Sequence, residues 1–228
     1  MSLLNRFVPQ SEFSSYRDFE ENLRIDVPEN FNFAFDIVDV YAETEPDRLA
    51  IVWCDEQDNE RKFTFADLKR YSDKAANFFV KSGIKKGDHV LLILKKDPAF
   101  WFCLLALHKI GAIGTPATHM LTAMDIEHRV KSASLRMAVC VASDKLLAHV
   151  DEAQRLCNGV LEMKVIVGGK REGWLDFDEE IEKAGADFER PTGDAATTND
   201  DVSLVYFSSG TTGYPKMVQH NFAYPLAH

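Results

Sequence analysis

From about residue 49 onward the chain alternates between short apolar runs and stretches whose apolar residues recur at helical spacing. His89 to Leu94 (HVLLIL) predicts a strand buried on both faces, and Ala112 to Pro116, Met137 to Val141 (MAVCV), Met163 to Val167 (MKVIV) and Val202 to Phe207 (VSLVYF) predict further short strands. Between them, Thr64 and Asp67 form a Thr-x-x-acid helix start, followed by a stripe of Leu68, Tyr71, Ala75, Phe78 and Phe79 and a stop at Gly83. Asp97-Pro98 opens a helix, Ala99 to Ile110, that is apolar almost all round and so belongs between layers. Thr122 and Asp125 open another, with Ile126, Val130 and Ala133 facing in. Ser143 caps one that runs to Cys157, striped by Leu146, Leu147, Val150 and Gln154, and Asp176 with Glu179 starts a short acidic helix. Alternating strands and helices predict an α/β fold, a mainly parallel sheet with flanking helices and right-handed crossovers.

The N-terminal part reads differently. Ser14 to Leu23 predicts a short helix packed on the body, and Phe31 to Thr44 a helix with Phe35, Val38, Tyr41 and Ala42 on its core face, stopped by Pro46. Leu49 to Cys54, the turn-like DEQDN and Arg61 to Thr64 predict a β-hairpin. Gly185 to Asp200 is a polar connection. The expected division is a helical extension, 1–48, and an α/β nucleotide-binding domain, 49–228.

Composition narrows the function classes. The chain has 228 residues, 46% hydrophobic, enough for a sizeable core. A formal charge of -10 argues against nucleic acid or an anionic membrane as the main partner. The four cysteines, Cys54, Cys103, Cys140 and Cys157, form no C-x-x-C pair and read as buried free thiols in a reduced compartment. The N-terminus lacks the apolar region of a secretory signal, and the longest apolar run, Ala99 to Ile113, falls short of a bilayer span. A soluble, cytoplasmic protein is expected.

The candidate chemistry lies in Ser208 to Lys216, SSGTTGYPK, which follows the last predicted strand. Gly210 and Gly213 let the backbone approach a ligand, Ser208, Ser209, Thr211 and Thr212 add hydroxyls without bulk, and Lys216, after Tyr214 and Pro215, supplies a point charge for phosphate oxygens. Open α/β sheets bind ligands where such loops leave their strands. The spacing is not that of a Walker A loop, so an ordinary P-loop kinase or GTPase is disfavoured. A turn joining two strands is the plain alternative. No His, Cys, Asp or Glu cluster has metal-ligand spacing, and the seven histidines are scattered. His108 reads as a satisfied core histidine, His119 lies in a loop after a strand where ligands bind, and His220 with Asn221 reads as the cap of a following helix. Neither G-x-S-x-G nor G-x-G-x-x-G occurs.

Tyr206 to Val218, YFSSGTTGYPKMV, resembles the phosphate-loop signature of the adenylate-forming superfamily, which includes acyl-CoA synthetases, firefly luciferase and peptide-synthetase adenylation domains. The common form continues Pro-Lys-Gly. Here Pro215-Lys216-Met217 is similar to the medium-chain acyl-CoA synthetases, and FNFAFDIVD, Gly111 to Pro116 and TAMDIEHRV extend the resemblance upstream. The resemblance implies a two-step ligase: a carboxylate and Mg-ATP give an acyl-adenylate and pyrophosphate, and coenzyme A takes the acyl group. It implies that Ser208 to Lys216 surrounds the β- and γ-phosphates, that Thr211 and Thr212 donate to them, and that Lys216 neutralises the departing pyrophosphate. No segment matches the family's adenine- and magnesium-binding motif, ribose-binding aspartate, hinge or C-terminal domain. The expectation is therefore an incomplete N-terminal domain, inactive alone and prone to self-association. A non-catalytic nucleotide-binding module and a scaffold that has lost ligand binding are the competing readings.

Overall fold

The computed structural model of the chain describes residues 3–208 and 213–227. Strands β1 (Leu49–Cys54) and β2 (Glu60–Thr64) pair antiparallel as a separate hairpin that packs against the helix following it. Strands β3 (His89–Ile93), β4 (Ile113–Pro116), β5 (Leu135–Val141), β6 (Met163–Val167), β7 (Leu175–Asp176), β8 (Val202–Ser208) and β9 (Lys216–Asn221) form one sheet, in the order β7-β6-β5-β3-β4-β8-β9. Its pairs are parallel except β8 with β9. The expected mainly parallel α/β architecture is present.

The helices form where local signals are strong. In α3 (Phe65–Lys81) the Thr64 hydroxyl accepts from the Asp67 N–H while the Asp67 carboxylate accepts from the Thr64 N–H, a complete capping box. Thr122 and Asp125 build the same box for α5 (Ala123–Ala133). Helix α4 (Ala99–Ile110) is buried along nearly its whole length and ends at Gly111, which adopts the left-handed conformation. Helices α6 (Asp144–Leu156) and α7 (Phe177–Lys183) complete the layers. The Ser143 side chain makes no capping bond to α6, although the helix starts directly after it.

Topology explains how these helices divide. From β3 the chain steps one way to β4 and then back past β3 to β5 and β6. Crossovers of one hand that step in opposite directions place their helices on opposite faces. One core accordingly holds α3, α4 and α7 against Val90, Leu92, Met137, Val139 and Val165, and the other holds α5 and α6 against Leu91, Ile93, Ala138, Cys140 and Ile166. Successive strand residues thus serve opposite cores. Burying each large apolar side chain is worth roughly 1.5 to 3 kcal/mol.

Residues before β1 depart from the sequence reading in two ways. Helix α1 (Tyr16–Asn22) is capped by Ser15 as its sequence suggests, but it has no buried residue and its aromatic contacts are local, Phe19 with Phe13 and Tyr16, so it does not pack on the body. The segment Ala34–Asp39 is wound in π-helical register and runs into the α-helical α2 (Val40–Thr44). Phe35 and Val38 are buried as expected, and Asp39 also points inward, where it and Asp73 of α3 grip the fully buried ammonium of Lys109 on α4 at 2.8 and 2.5 Å. Cys103, Cys140 and Cys157 are buried free thiols. Cys54, at the end of β1 in the hairpin, is free but exposed, contrary to expectation. Among the described residues no helix is long and apolar enough to cross a membrane.

Candidate phosphate-loop site

Strand β8 carries the chain past β4 to the carboxyl edge of the sheet, and β9 brings it back antiparallel, with Ser208 opposite Lys216 in register. The candidate loop is therefore a connection between two antiparallel strands, the plain geometry of a turn, placed at the strand ends where ligands bind in open α/β sheets. Ser209, Gly210, Thr211 and Thr212 lie outside the described residues. Ser208 closes β8, its hydroxyl donating to the Lys216 carbonyl at 3.5 Å. Gly213 has φ +101°, a conformation open to glycine and strained for other residues, and a Cβ built there would meet nothing within 4 Å among the described residues. Lys216 begins β9, is exposed, and makes no ion pair among the described residues.

The loop arms rest on α5. Strand alternation sends Phe207 toward α5 and Tyr206 to the other face of the ladder. The buried Arg129 guanidinium lies 5.1 Å over the Phe207 ring and donates to the Asp125 carbonyl at 2.9 Å; burial lowers its pKa. On the return arm the His128 ring stacks on Tyr214, centroids 4.5 Å apart and planes 19° apart, with Nε2 3.5 Å from the Pro215 carbonyl oxygen. Tyr206 stands against His220, and His220 against Tyr224 at 3.9 Å; burial raises the Tyr206 pKa.

An exposed lysine without an ion pair and a glycine flank without a close neighbour, both among the described residues, and a position at the carboxyl ends of the strands fit a polyphosphate. The sequence reading missed His128 and Arg129. Their only signal was their place in TAMDIEHRV, and the stacking depends on Tyr214, far along the chain. His220 and Asn221 belong to β9 and do not cap a helix, because pairing with β8 claims them. His119 is exposed in its loop and lines a cleft of about 730 Å³ with Trp53, Lys95, Asp97 and Val141, at the carboxyl ends of β3 and β5. A second cleft of about 500 Å³, with Arg6, Asp36, Lys109 and Arg190 in its walls, lies toward the amino ends of the strands, because α4 runs antiparallel to them and Lys109 is near its C-terminus. His108 is buried as expected but unsatisfied, since neither ring nitrogen has a hydrogen-bond partner among the described residues.

A family model described as AMP-binding enzyme matches residues 38–228. The chain is 34% identical over 201 residues to the mitochondrial acyl-coenzyme A synthetase ACSM5 of Rattus norvegicus, covering 86% of this chain and 34% of that protein. It is 30% identical over 223 residues to the mitochondrial acyl-coenzyme A synthetase ACSM3 of Homo sapiens, covering 95% and 37%. It thus spans about a third of the length of these relatives. Among solved structures, the anthranilate CoA ligase AuaEII in complex with anthranoyl-AMP shares the fold at TM-score 0.74 and 24% identity, over 89% of this chain and 37% of that one. A Brucella canis acyl-CoA synthetase does so at 0.71 and 23%, over 89% and 35%. With the loop signature on such a hairpin and a family match over most of its length, the chain belongs to the AMP-binding enzyme family, the adenylate-forming superfamily that its sequence resembles.

Proposed function

We propose that this chain supplies the phosphate-loop wall of an AMP-forming acyl-CoA synthetase acting on a short- to medium-chain carboxylate with ATP, Mg²⁺ and coenzyme A. The observation that carries the reading is the β8–β9 pair at the carboxyl edge of the sheet, from which Lys216 presents an exposed charge with no ion pair among the described residues. In this reading Ser208 to Lys216 cradles the β- and γ-phosphates, with hydroxyls and N–H groups of Thr211 and Thr212 as donors. Lys216 holds charge where it accumulates as pyrophosphate leaves. Mg²⁺, when bound, neutralises phosphate charge; among the described residues no group of carboxylates, histidines and cysteines could hold it. The names of the relatives, acyl-coenzyme A synthetases, support the reaction class. Four free thiols support a reduced compartment such as the cytoplasm, although the named relatives are mitochondrial, and cell fractionation distinguishes the two.

For the 228 residues by themselves the proposed role is narrower: binding without turnover, with self-association. Calorimetry with Mg-ATP on the chain and on Lys216→Ala tests the reading. Wild type is expected to bind and the variant to bind at least about tenfold more weakly, in keeping with loss of a charged hydrogen bond. Equal or absent heats would favour the scaffold reading, and carboxylate-dependent ATP–pyrophosphate exchange by these residues would refute their inactivity.

A further inference from the structure

We infer that His128 is a positioning residue for phosphate binding, holding Tyr214 and Pro215 so that Lys216 enters β9 at the place where it meets the polyphosphate; the inference rests on the reading of the loop given above. Tyr214 is 67% exposed and lies outside both strands, so nothing in the sheet ladder fixes it. The His128 ring fixes it from α5 by a near-parallel stack at 4.5 Å. Pro215 follows with its φ set by the pyrrolidine ring, so placing Tyr214 and Pro215 narrows the directions in which Lys216 can leave. The neighbouring Arg129, only 8% exposed, holds Phe207 at the end of β8. Both arms of the loop are therefore held from consecutive positions of one helix.

That helix is a firm mount. Its first turn is closed by the reciprocal Thr122–Asp125 box, and Ile126 and Val130, which flank the pair, are fully buried in the core. The His128 Nε2 contact to the Pro215 carbonyl, at 3.5 Å, is at the outer limit of a hydrogen bond, so the stack contributes more to the clasp than the polar contact. Pre-placing the arm lowers the ordering cost that a bound polyphosphate would otherwise bear.

The test uses the 228-residue chain, the partly buried His128 replaced by Ala or by Phe, and two readouts. In Mg-ATP calorimetry, His128→Ala is expected to raise Kd about tenfold, the size of a lost aromatic stack, and His128→Phe to stay within about threefold of wild type. With no nucleotide present, amide exchange at Tyr214 is expected to accelerate several-fold in the alanine variant only, while the thermal unfolding midpoint stays put in both. A purely structural role would move that midpoint. Unchanged Kd in His128→Ala, unchanged exchange, or a phenylalanine variant as impaired as the alanine one would each overturn the inference. If wild type itself takes up no Mg-ATP, the phosphate reading falls and the role of His128 in binding falls with it, while the exchange data still decide whether the clasp exists.

Discussion

His108 and Lys109, adjacent on α4, are two different outcomes of burying an ionisable side chain. Lys109 keeps its charge company: Asp39 and Asp73 face its ammonium, and burial pushes the Asp39 carboxyl up against the pull of that lysine. His108 is 4% exposed, its ring nitrogens have no partner among the described residues, and it has Phe222 as an aromatic neighbour at 5.6 Å. Burial alone lowers its pKa from 6.5 to about 4. The imidazole therefore stays neutral in the fold at pH values where the unfolded chain already binds a proton. Its contribution is fully present above 6.5 and is lost as pH falls toward 4, about 3 kcal/mol in all at 1.36 kcal/mol per pKa unit. Urea denaturation of wild type and His108→Leu over that range checks this: wild type is expected to lose about 3 kcal/mol more than the variant. Parallel pH profiles would refute it. Burial of His108 was legible in the sequence, since its helix is apolar all round. Its lack of a partner was not, because the nearby Asn32 amide donates to the His108 backbone carbonyl and leaves the ring alone.

At the scale of elements, helix ends show how far local signals reach. Gly111 ends α4 with φ +73°, and a Cβ there would lie 3.0 Å from Lys86 Cγ and 3.1 Å from Thr197 Cγ2. Gly83, after α3, has φ +83° but open space around it. Both positions carry the left-handed penalty for alanine, about 1 to 2 kcal/mol, and only Gly111 adds crowding. Chemical denaturation is expected to show Gly111→Ala as the more costly change by about 1 kcal/mol, and equal costs would argue that Lys86 and Thr197 simply move aside. The capping boxes of α3 and α5 could be read from sequence because donor and acceptor lie three residues apart. Strand β9 could not: KMVQHN has no clear alternation and becomes a strand by pairing with β8. The two-residue β7, the π register of Ala34–Asp39 and the exposure of α1 were hidden for the same reason, being decided by packing between distant residues or by its absence.

For the whole molecule, sequence pattern identified the layers but not their order: that β5 lies beside β3, and β8 beside β4, follows from crossovers that reverse direction. The same order decides which strands are edges. At one edge β7 is two residues long and offers little backbone for pairing. At the other, β9 runs six residues and is largely exposed, with Met217 and Val218 at 42% and 41% and Tyr206 of β8 at 39%. Short edges and charged edges resist pairing, and β9 has a single lysine at its start to protect it. Its free backbone groups and adjoining apolar side chains are the combination that recruits another strand. The chain is expected to self-associate, its sedimentation coefficient rising across the micromolar range, where unpaired edges commonly associate. Met217→Lys with Val218→Lys places a charge on each face of β9 and is expected to return the protein to a monomer, with unfolding little changed, because both side chains are already exposed. A sedimentation coefficient independent of concentration in wild type would show that β9 is adequately protected, and equal association in the double variant would move the contact elsewhere.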